Sequence, residues 1–238
     1  MQNKSQQLVV LEISLPDAID VLVRWNITDI VNGIPAVFTA EAGIPLSAEA
    51  KLAMYHLRYL EFAWRQPENH FPDQTESDRF DVHADHFIAR LGSNVLGSMR
   101  LIPCEKGFPM EDEHEVLLPD GTPWVFPSVH PRTGVPVSRD ETVEISRLCG
   151  RPHELPSGDY LWTAFLVIDT ALNTFLLNKK ERKYAVAVMN VRMFDLFTKL
   201  GYGWIPLAPP QEFRGLQVQA AWLDMKHLAC PRILPKNR

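Results

Sequence analysis

Residues 86–102 read HFIARLGSNVLGSMRLI, which is two apolar runs on either side of a short polar turn. The runs, His86 to Leu91 and Val95 to Ile102, have the composition of buried strands. Gly92-Ser93-Asn94 between them is typical of a β-hairpin loop. The stretch therefore predicts a chain built around a sheet that contains antiparallel strands.

Helices and further strands are predicted on both sides of this hairpin. Ser47 is an N-cap candidate for a helix from about Ala48 to Trp64, and Gly201 at the C′ position ends a helix over Val191 to Leu200. The other predicted elements are strands at Leu8–Leu15, Thr142–Leu148, Tyr184–Val188 and Gln217–Asp224 and helices at Pro16–Asn26 and Tyr160–Leu177. This order predicts an α/β (α+β) fold, a mixed sheet sandwiched by helices with one right-handed crossover.

The length of 238 residues fits one domain, with an N-terminal extension over about residues 1–45. Residues 103–140 contain seven of the 19 prolines and little periodicity. They predict a long surface loop rather than core.

Composition excludes several classes of protein. A formal charge of −5 is unsuited to bulk nucleic-acid binding. The sequence has no apolar run of about 18 residues and no signal-peptide core, so we expect a cytoplasmic protein without a membrane span. The three cysteines, Cys104, Cys149 and Cys230, lie too far apart for the usual spacing of zinc ligands. Asp81, His83 and His86 do not match a recognised set of metal ligands either, so no metal is expected.

Four short strings place charged side chains where the local pattern predicts burial. They are Arg58-x3-Phe62, Glu76-Ser77-Asp78-Arg79-Phe80-Asp81, Gly97-Ser98-Met99-Arg100-Leu101 and Glu144-Ile145-Ser146-Arg147. A lone buried ion costs several kcal/mol, so these groups should pair with one another. The pattern predicts a polar cluster at the edge of the sheet, and a set of unrelated surface ion pairs is the alternative.

In this order and spacing, the four strings resemble those of the acyl-homoserine-lactone (autoinducer) synthases. They are also similar to those of the related N-acyl amino acid synthases and the exosortase-associated acyltransferases. The resemblance covers roughly residues 48–222 and implies a GNAT-type acyltransferase fold. It implies an enzyme that moves an acyl group from acyl-carrier protein or acyl-coenzyme A to the amine of a small amino-acid-like acceptor, with no permanently bound cofactor.

The resemblance also implies roles for individual residues. Glu144, Arg147 and Arg100 would be catalytic, with Glu144 as the base that deprotonates the amine. Arg58, Phe62, Asp78 and Asp81 would bind substrate. A purely structural Glu144, paired with an arginine, is the alternative.

Two departures from the family bear on the acceptor. The autoinducer synthases usually have a tryptophan about ten residues past the helix arginine, near the S-adenosylmethionine pocket, whereas this chain has Glu68 there and its nearest tryptophan is Trp64. The proline-rich segment after Ile102 is also enlarged. S-adenosylmethionine and a different amino acid therefore both remain candidate acceptors.

The segment around the Tyr160–Leu177 helix raises two more possibilities. Its apolar stripe, which includes Trp162 and Phe165, is either core or the lining of an acyl-chain tunnel. The basic residues Lys179, Lys180, Arg182 and Lys183 are either a solvated helix end or a docking patch for an acidic acyl-carrier protein.

Three functions remain open at this stage. The first is an autoinducer synthase that uses S-adenosylmethionine and releases methylthioadenosine. The second is an N-acyl amino acid synthase that stops at the amide. The third is a non-catalytic acyl-carrier or lipid-binding module, against which the complete set of charged residues counts.

Overall fold

The structure is a computed structural model that describes residues 19–31, 34–45, 47–62, 71, 73–91, 94–112, 116–126, 128–150, 182–199 and 201–225. Contacts between Cα atoms divide the chain into two compact units. The first comprises residues 1–77, 86–100 and 147–174, and the second comprises residues 78–85, 101–146 and 175–238. The Leu8–Leu15 strand and the Tyr160–Leu177 helix lie outside the described residues.

The first unit contains a long hairpin, a helix and the predicted central hairpin. Strands β1 (Ile19–Val31) and β2 (Ile34–Pro45) pair antiparallel, and β2 pairs antiparallel with β3 (Asp85–Leu91). Strand β4 (Asn94–Pro103) is the next neighbour of β3, which confirms both strands of the predicted hairpin. Helix α1 (Ala48–Phe62) precedes β3, and its Ala50 N–H donates to Ser47 Oγ at 3.1 Å, as the predicted N-cap requires.

The second unit contains the parallel strand pair. Its elements are α2 (Pro109–Asp112), β5 (Ser128–Val129), β6 (Pro136–Val137), β7 (Thr142–Gly150), β8 (Tyr184–Asn190), α3 (Val191–Lys199), β9 (Ile205–Pro206), β10 (Gln211–Phe213) and β11 (Leu216–Asp224). Strands β7 and β8 are parallel, and β11 pairs antiparallel with β8, β9 and β10. Strands β4 and β7 contribute residues to both units. The predicted mixed α/β sheet fold is confirmed.

The expected helix at Pro16–Asn26 is wrong. Residues 19–31 read IDVLVRWNITDIV, and their β-branched side chains favour an extended backbone. The strand forms because β2 supplies a partner along its length, from Ile19 opposite Pro45 to Val31 opposite Ile34. The N-terminal extension therefore adds strands to the sheet, since Ala40 to Gly43 of β2 pair with β3.

The expectation that residues 103–140 avoid the core is also wrong. This segment supplies six fully or nearly fully buried side chains to the hydrophobic core of the second unit, namely Cys104, Phe108, Met110, Val116, Trp124 and Val137. They pack in one cluster with Trp222 of β11 and Val186 of β8. Prolines and turns in this segment therefore shape an irregular part of the core.

Among the helices of the described residues, none has the length and hydropathy that crossing a membrane requires.

Gly201 ends α3 as its sequence position predicts. Its φ is +85°, its N–H donates to the Thr198 carbonyl at 3.0 Å, and the Tyr202 N–H donates to the Phe197 carbonyl at 3.0 Å. These two bonds are those of a Schellman motif, which satisfies the last carbonyl groups of the helix.

Replacing Gly201 by alanine should therefore lower the free energy of unfolding by about 1–2 kcal/mol, because a Cβ is disfavoured in the left-handed conformation. Urea denaturation measures this change. Thr198→Ala is the matched control, since Thr198 is exposed and contributes only its backbone to the motif. Equal losses from the two substitutions would contradict the assignment.

Candidate active site

A buried carboxylate in the first unit joins two of the arginines that the sequence singles out. Glu76 Oε2 accepts a hydrogen bond from Arg58 Nε at 2.6 Å, and Glu76 Oε1 accepts one from Arg147 Nε at 2.8 Å. The Glu76 side chain is 3% exposed, and the Arg58 side chain is 1% exposed. Charge-assisted bonds of this length are strong, so the three side chains form one ionic unit.

Helix α1 positions two members of this ionic unit, Arg58 and Glu76. Arg58 lies on its buried face, and the Glu76 N–H donates to the carbonyl of Tyr55 at 3.0 Å. The Arg58 guanidinium lies 5.3 Å from the centre of the Tyr55 ring, within cation–π range. The backbone of the segment that carries Glu76 is therefore tied to the same turn of helix that presents Arg58.

Arg147 adopts an uncommon backbone conformation within β7. Its φ is +53°, in the left-handed region that disfavours side chains with a Cβ. Its guanidinium bonds to Glu76 and lies 5.7 Å from the centre of the Phe62 ring. Arg58, Phe62, Glu76 and Arg147 thus form what we call the Glu76 cluster, and its ionic contacts help to hold the strained backbone.

Arg100 is buried in β4 as its string predicts. Its side chain is 0% exposed, and its neighbours Ser98, Met99 and Leu101 are each about 1% exposed. This strand therefore carries a cation inside an otherwise closely packed segment.

Glu144 occupies a buried position in the second unit. It is 1% exposed, and its Oε2 accepts a hydrogen bond from the Met110 N–H, in the first turn of α2, at 2.7 Å. The parallel register of β7 with β8 runs from Thr142 opposite Tyr184 to Glu144 opposite Val186 and ends there. Glu144 therefore lies at the end of the parallel pairing between the two strands.

No protein-family model and no curated protein sequence matches this chain. Solved structures do. The acyl-homoserine-lactone synthase LasI matches with a TM-score of 0.62 at 15% identity, over 78% of this chain and 89% of LasI. BjaI, a CoA-dependent acyl-homoserine-lactone synthase with SAM and isopentyl-CoA, matches with a TM-score of 0.56 at 20% identity, over 74% of this chain and 76% of BjaI.

This chain has the acyl-homoserine-lactone synthase fold. FeeM, an N-acyl amino acid synthase from uncultured soil microbes, shares it with a TM-score of 0.52 at 15% identity, over 79% of this chain and 91% of FeeM. The resemblance that the four strings indicate is thus confirmed at the level of the fold.

Within this fold, Asp78 and Asp81 organise a turn. Asp81 Oδ2 accepts a hydrogen bond from the Asp78 N–H at 2.7 Å, and Asp78 Oδ1 accepts one from the Phe80 N–H at 2.9 Å. Phe80 is thereby directed into the core of the second unit. Both carboxylates thus have a structural task, and their expected role in binding substrate stays a prediction.

The two described cysteines are poor nucleophiles. Burial raises the pKa of the Cys149 thiol to about 11, and its Sγ lies 3.2 Å from Ser98 Oγ. Burial also raises the pKa of the Cys104 thiol, and the Glu144 carboxylate raises it further. Because a thiolate is the reactive form, neither group is prepared for attack on a thioester at neutral pH.

The described part of the basic run forms ion pairs within the second unit. Arg182 donates to both carboxylate oxygens of Glu105 and, at 2.7 Å, to the Asp140 carbonyl, while Lys183 pairs with Glu141. The hydrogen bond from Arg182 lowers the pKa of Glu105. Lys179, Lys180, Trp162 and Phe165 lie outside the described residues, and their expected roles stay predictions.

The sequence alone predicts no role for Glu76, although this residue opens the second string. Arg58 and Arg147 both bond to one carboxylate, and Glu76, whose side chain is 3% exposed, is the most deeply buried charged residue of that string. Contact of Glu144 or Asp78 with one of the arginines stays a prediction.

Replacing Glu76 by glutamine should lower the free energy of unfolding by about 3–5 kcal/mol, because it removes the carboxylate charge from a buried ion pair. Thermal and urea denaturation measure the loss. Arg79→Gln is the control: its side chain is 70% exposed and pairs with Asp112, so its loss should stay below about 1 kcal/mol. A Glu76→Gln protein as stable as the control would show that the cluster is accessible to water.

Proposed function

We propose that this chain is an N-acyltransferase that moves an acyl group from a carrier thioester to the amine of a small amino-acid-like acceptor. One observation carries the proposal: within the acyl-homoserine-lactone synthase fold, each of the four strings contributes a buried charged side chain, namely Arg58, Glu76, Arg100 and Glu144. Buried ionisable groups are costly, and they concentrate where charge develops in a reaction.

Glu144 is the proposed base. A protonated amine is not a nucleophile, so the acceptor must first give up a proton. In the proposed reaction Glu144 takes that proton directly or through a water, and the amine nitrogen attacks the thioester carbonyl carbon. The carbon–sulfur bond then breaks, and the thiolate leaves as a thiol with the proton that Glu144 had taken. The attacking nitrogen then still carries one proton more than the amide, and that proton passes to the Glu144 carboxylate or to water. The high pKa values of the two described thiols support direct attack over a cysteine intermediate.

Backbone N–H groups are the proposed donors to the oxyanion of the tetrahedral intermediate. The parallel pairing of β7 with β8 ends at Glu144 and Val186, so main-chain groups beyond this pair are candidates to turn toward a substrate. Such donors need no rearrangement during the reaction.

Arg147 is the proposed ligand for the acceptor carboxylate. Its side chain is 14% exposed, whereas the Arg58 and Arg100 side chains are about 1% and 0% exposed. A guanidinium can bind a carboxylate with two parallel hydrogen bonds, and Phe62 beside Arg147 would border the same site. Arg58 and Arg100 would maintain the charge balance.

The two enzyme alternatives, an autoinducer synthase and an N-acyl amino acid synthase, differ in the acceptor that they use. Glu68 in place of the expected tryptophan favours an amino acid over S-adenosylmethionine. An autoinducer synthase would release methylthioadenosine, whereas an N-acyl amino acid synthase would not. Mass spectrometry of lipids from cells that overproduce the protein would report both acceptor and acyl chain, and the absence of any acyl amide would favour the non-catalytic module.

Replacing Glu144 by glutamine should lower kcat by about 100-fold or more, the usual contribution of a general base. The amide can still accept the Met110 hydrogen bond, and the melting temperature verifies that the variant is folded under the assay conditions. Glu141→Gln, just before β7, is the control and should retain activity. Full activity of Glu144→Gln would remove Glu144 as the base.

Charge reversal of Lys179 and Lys180 tests the donor. If an acidic acyl-carrier protein docks there, kcat/KM with that donor should fall by about ten-fold at low salt, because exposed charges steer association. The loss should shrink with added salt and be absent with acyl-coenzyme A. An equal, salt-insensitive loss with both donors would mean that this part of the run is structural.

A further inference from the structure

We propose that Arg139 and Glu111 are positioning residues for Glu144, an inference that rests on the proposed function. Neither residue belongs to the four strings. The two side chains form an ion pair that holds the short helix α2 against the start of β7, and α2 presents the N–H group that binds the Glu144 carboxylate. We call this ion pair the Arg139–Glu111 clamp.

The ion pair of the clamp is bidentate. Arg139 Nη1 donates to Glu111 Oε2 at 2.6 Å, and Nη2 donates to Glu111 Oε1. The guanidinium also lies 5.8 Å and 5.4 Å from the ring centres of Phe108 and Phe126. A planar guanidinium that lies within cation–π range of two rings and bonds to both carboxylate oxygens holds its partner in one orientation.

The clamp closes a ring through Glu144. Glu111 follows Met110 in the chain, and the Met110 N–H donates to Glu144 Oε2 at 2.7 Å. Arg139 opens the 3-10 turn Arg139–Glu141, which leads directly into β7. The Thr142 N–H donates to the Arg139 carbonyl. This bond limits the movement of the backbone between the clamp and Glu144.

Helix α2 depends on contacts of this kind. It has four residues, and a helix that short has no stability of its own in water. The Phe108 carbonyl accepts hydrogen bonds from the N–H groups of Glu111 at 3.2 Å and Asp112 at 3.3 Å, so the residue under the guanidinium also closes the helical turn. Loss of the clamp should therefore release the Met110 N–H and allow Glu144 to reorient.

Two measurements on the full chain test the inference, on Glu111→Gln, Arg139→Lys and the exchanged pair Glu111→Arg/Arg139→Glu. Asp112→Asn is the matched control: it lies next to Glu111 on α2, and removes only the exposed pair with Arg79. The first measurement follows hydrogen exchange of backbone amides in protein labelled with ¹⁵N-methionine. The chain has seven methionines, and the signal that disappears in Met110→Leu identifies the Met110 amide. The second is steady-state kinetics.

Hydrogen exchange of the Met110 amide should become roughly ten-fold faster in Glu111→Gln. This factor corresponds to about 1.4 kcal/mol, the weakening expected when the Met110 N–H is released from the Glu144 carboxylate. It should stay unchanged in Asp112→Asn. Unchanged exchange in Glu111→Gln, with the folded state verified by the other methionine signals, would overturn the clamp whether or not the chain is an acyltransferase.

In the kinetics, Glu111→Gln should lower kcat by about ten-fold or more with KM changed by less than about two-fold, since misplacing a reacting group acts on turnover. The kcat of Arg139→Lys should lie between that of Glu111→Gln and that of the parent. The exchanged pair should recover much of the lost kcat. Faster exchange with unaltered kcat would overturn the positioning role. A parent protein inactive with every donor and acceptor would refute the proposed function and that role, while the exchange data would still decide the clamp.

Discussion

The ionic unit of Glu76 is the constraint on which the first unit depends. A carboxylate and a guanidinium that leave water together lose several kcal/mol of hydration each, and only close, well-directed bonds offset that loss. Glu76 makes such bonds to Arg58 and Arg147. Through them a helix, an irregular segment and a strand residue with positive φ are fixed relative to one another, so a change in any one of them disturbs the other two.

The second unit also contains a deeply buried carboxylate, and a backbone N–H group contributes to holding it in place. Glu144 is as deeply buried as Arg58, and a backbone N–H group from α2 binds one of its oxygens. Such an N–H group moves only when the backbone moves. The irregular segment between β4 and β7 therefore combines two tasks, because it fills the core with Phe108 and Met110 and directs a donor at the carboxylate.

The parts of the fold that could be predicted from the sequence are those with local causes. Ser47 and Gly201 specify the ends of helices through bonds within a few residues, and the hairpin strands β3 and β4 show their own apolar runs. Strand β1 was not predicted, because its conformation depends on pairing with β2. The burial of residues 103–140 was missed for the same reason: composition does not specify which irregular segment a core will enclose.

The candidate site divides along the same line. Burial of Arg58, Arg100 and Glu144 follows from charged residues placed in apolar patterns, and it is confirmed. The partner of Arg58 and Arg147 could not be assigned, because Glu76 lies 18 residues from one and 71 residues from the other. Glu111 and Arg139, 28 residues apart, were missed because each looks like an ordinary solvated charge in sequence.

The energetics of these charges bear on whether the chain is a catalyst or a silent binding module. Apolar side chains of similar volume often stabilise a protein as well as a buried ion pair does, so stability alone gives little reason to bury ions. A reaction that removes a proton from an ammonium and builds an oxyanion does give one, since fixed charges in a dry site stabilise such steps far more than exposed charges can. The raised pKa values of both described thiols keep these groups protonated at neutral pH, which supports the proposed direct attack by the amine. The buried carboxylates and guanidinium groups therefore favour the proposed acyltransferase over a silent binding module.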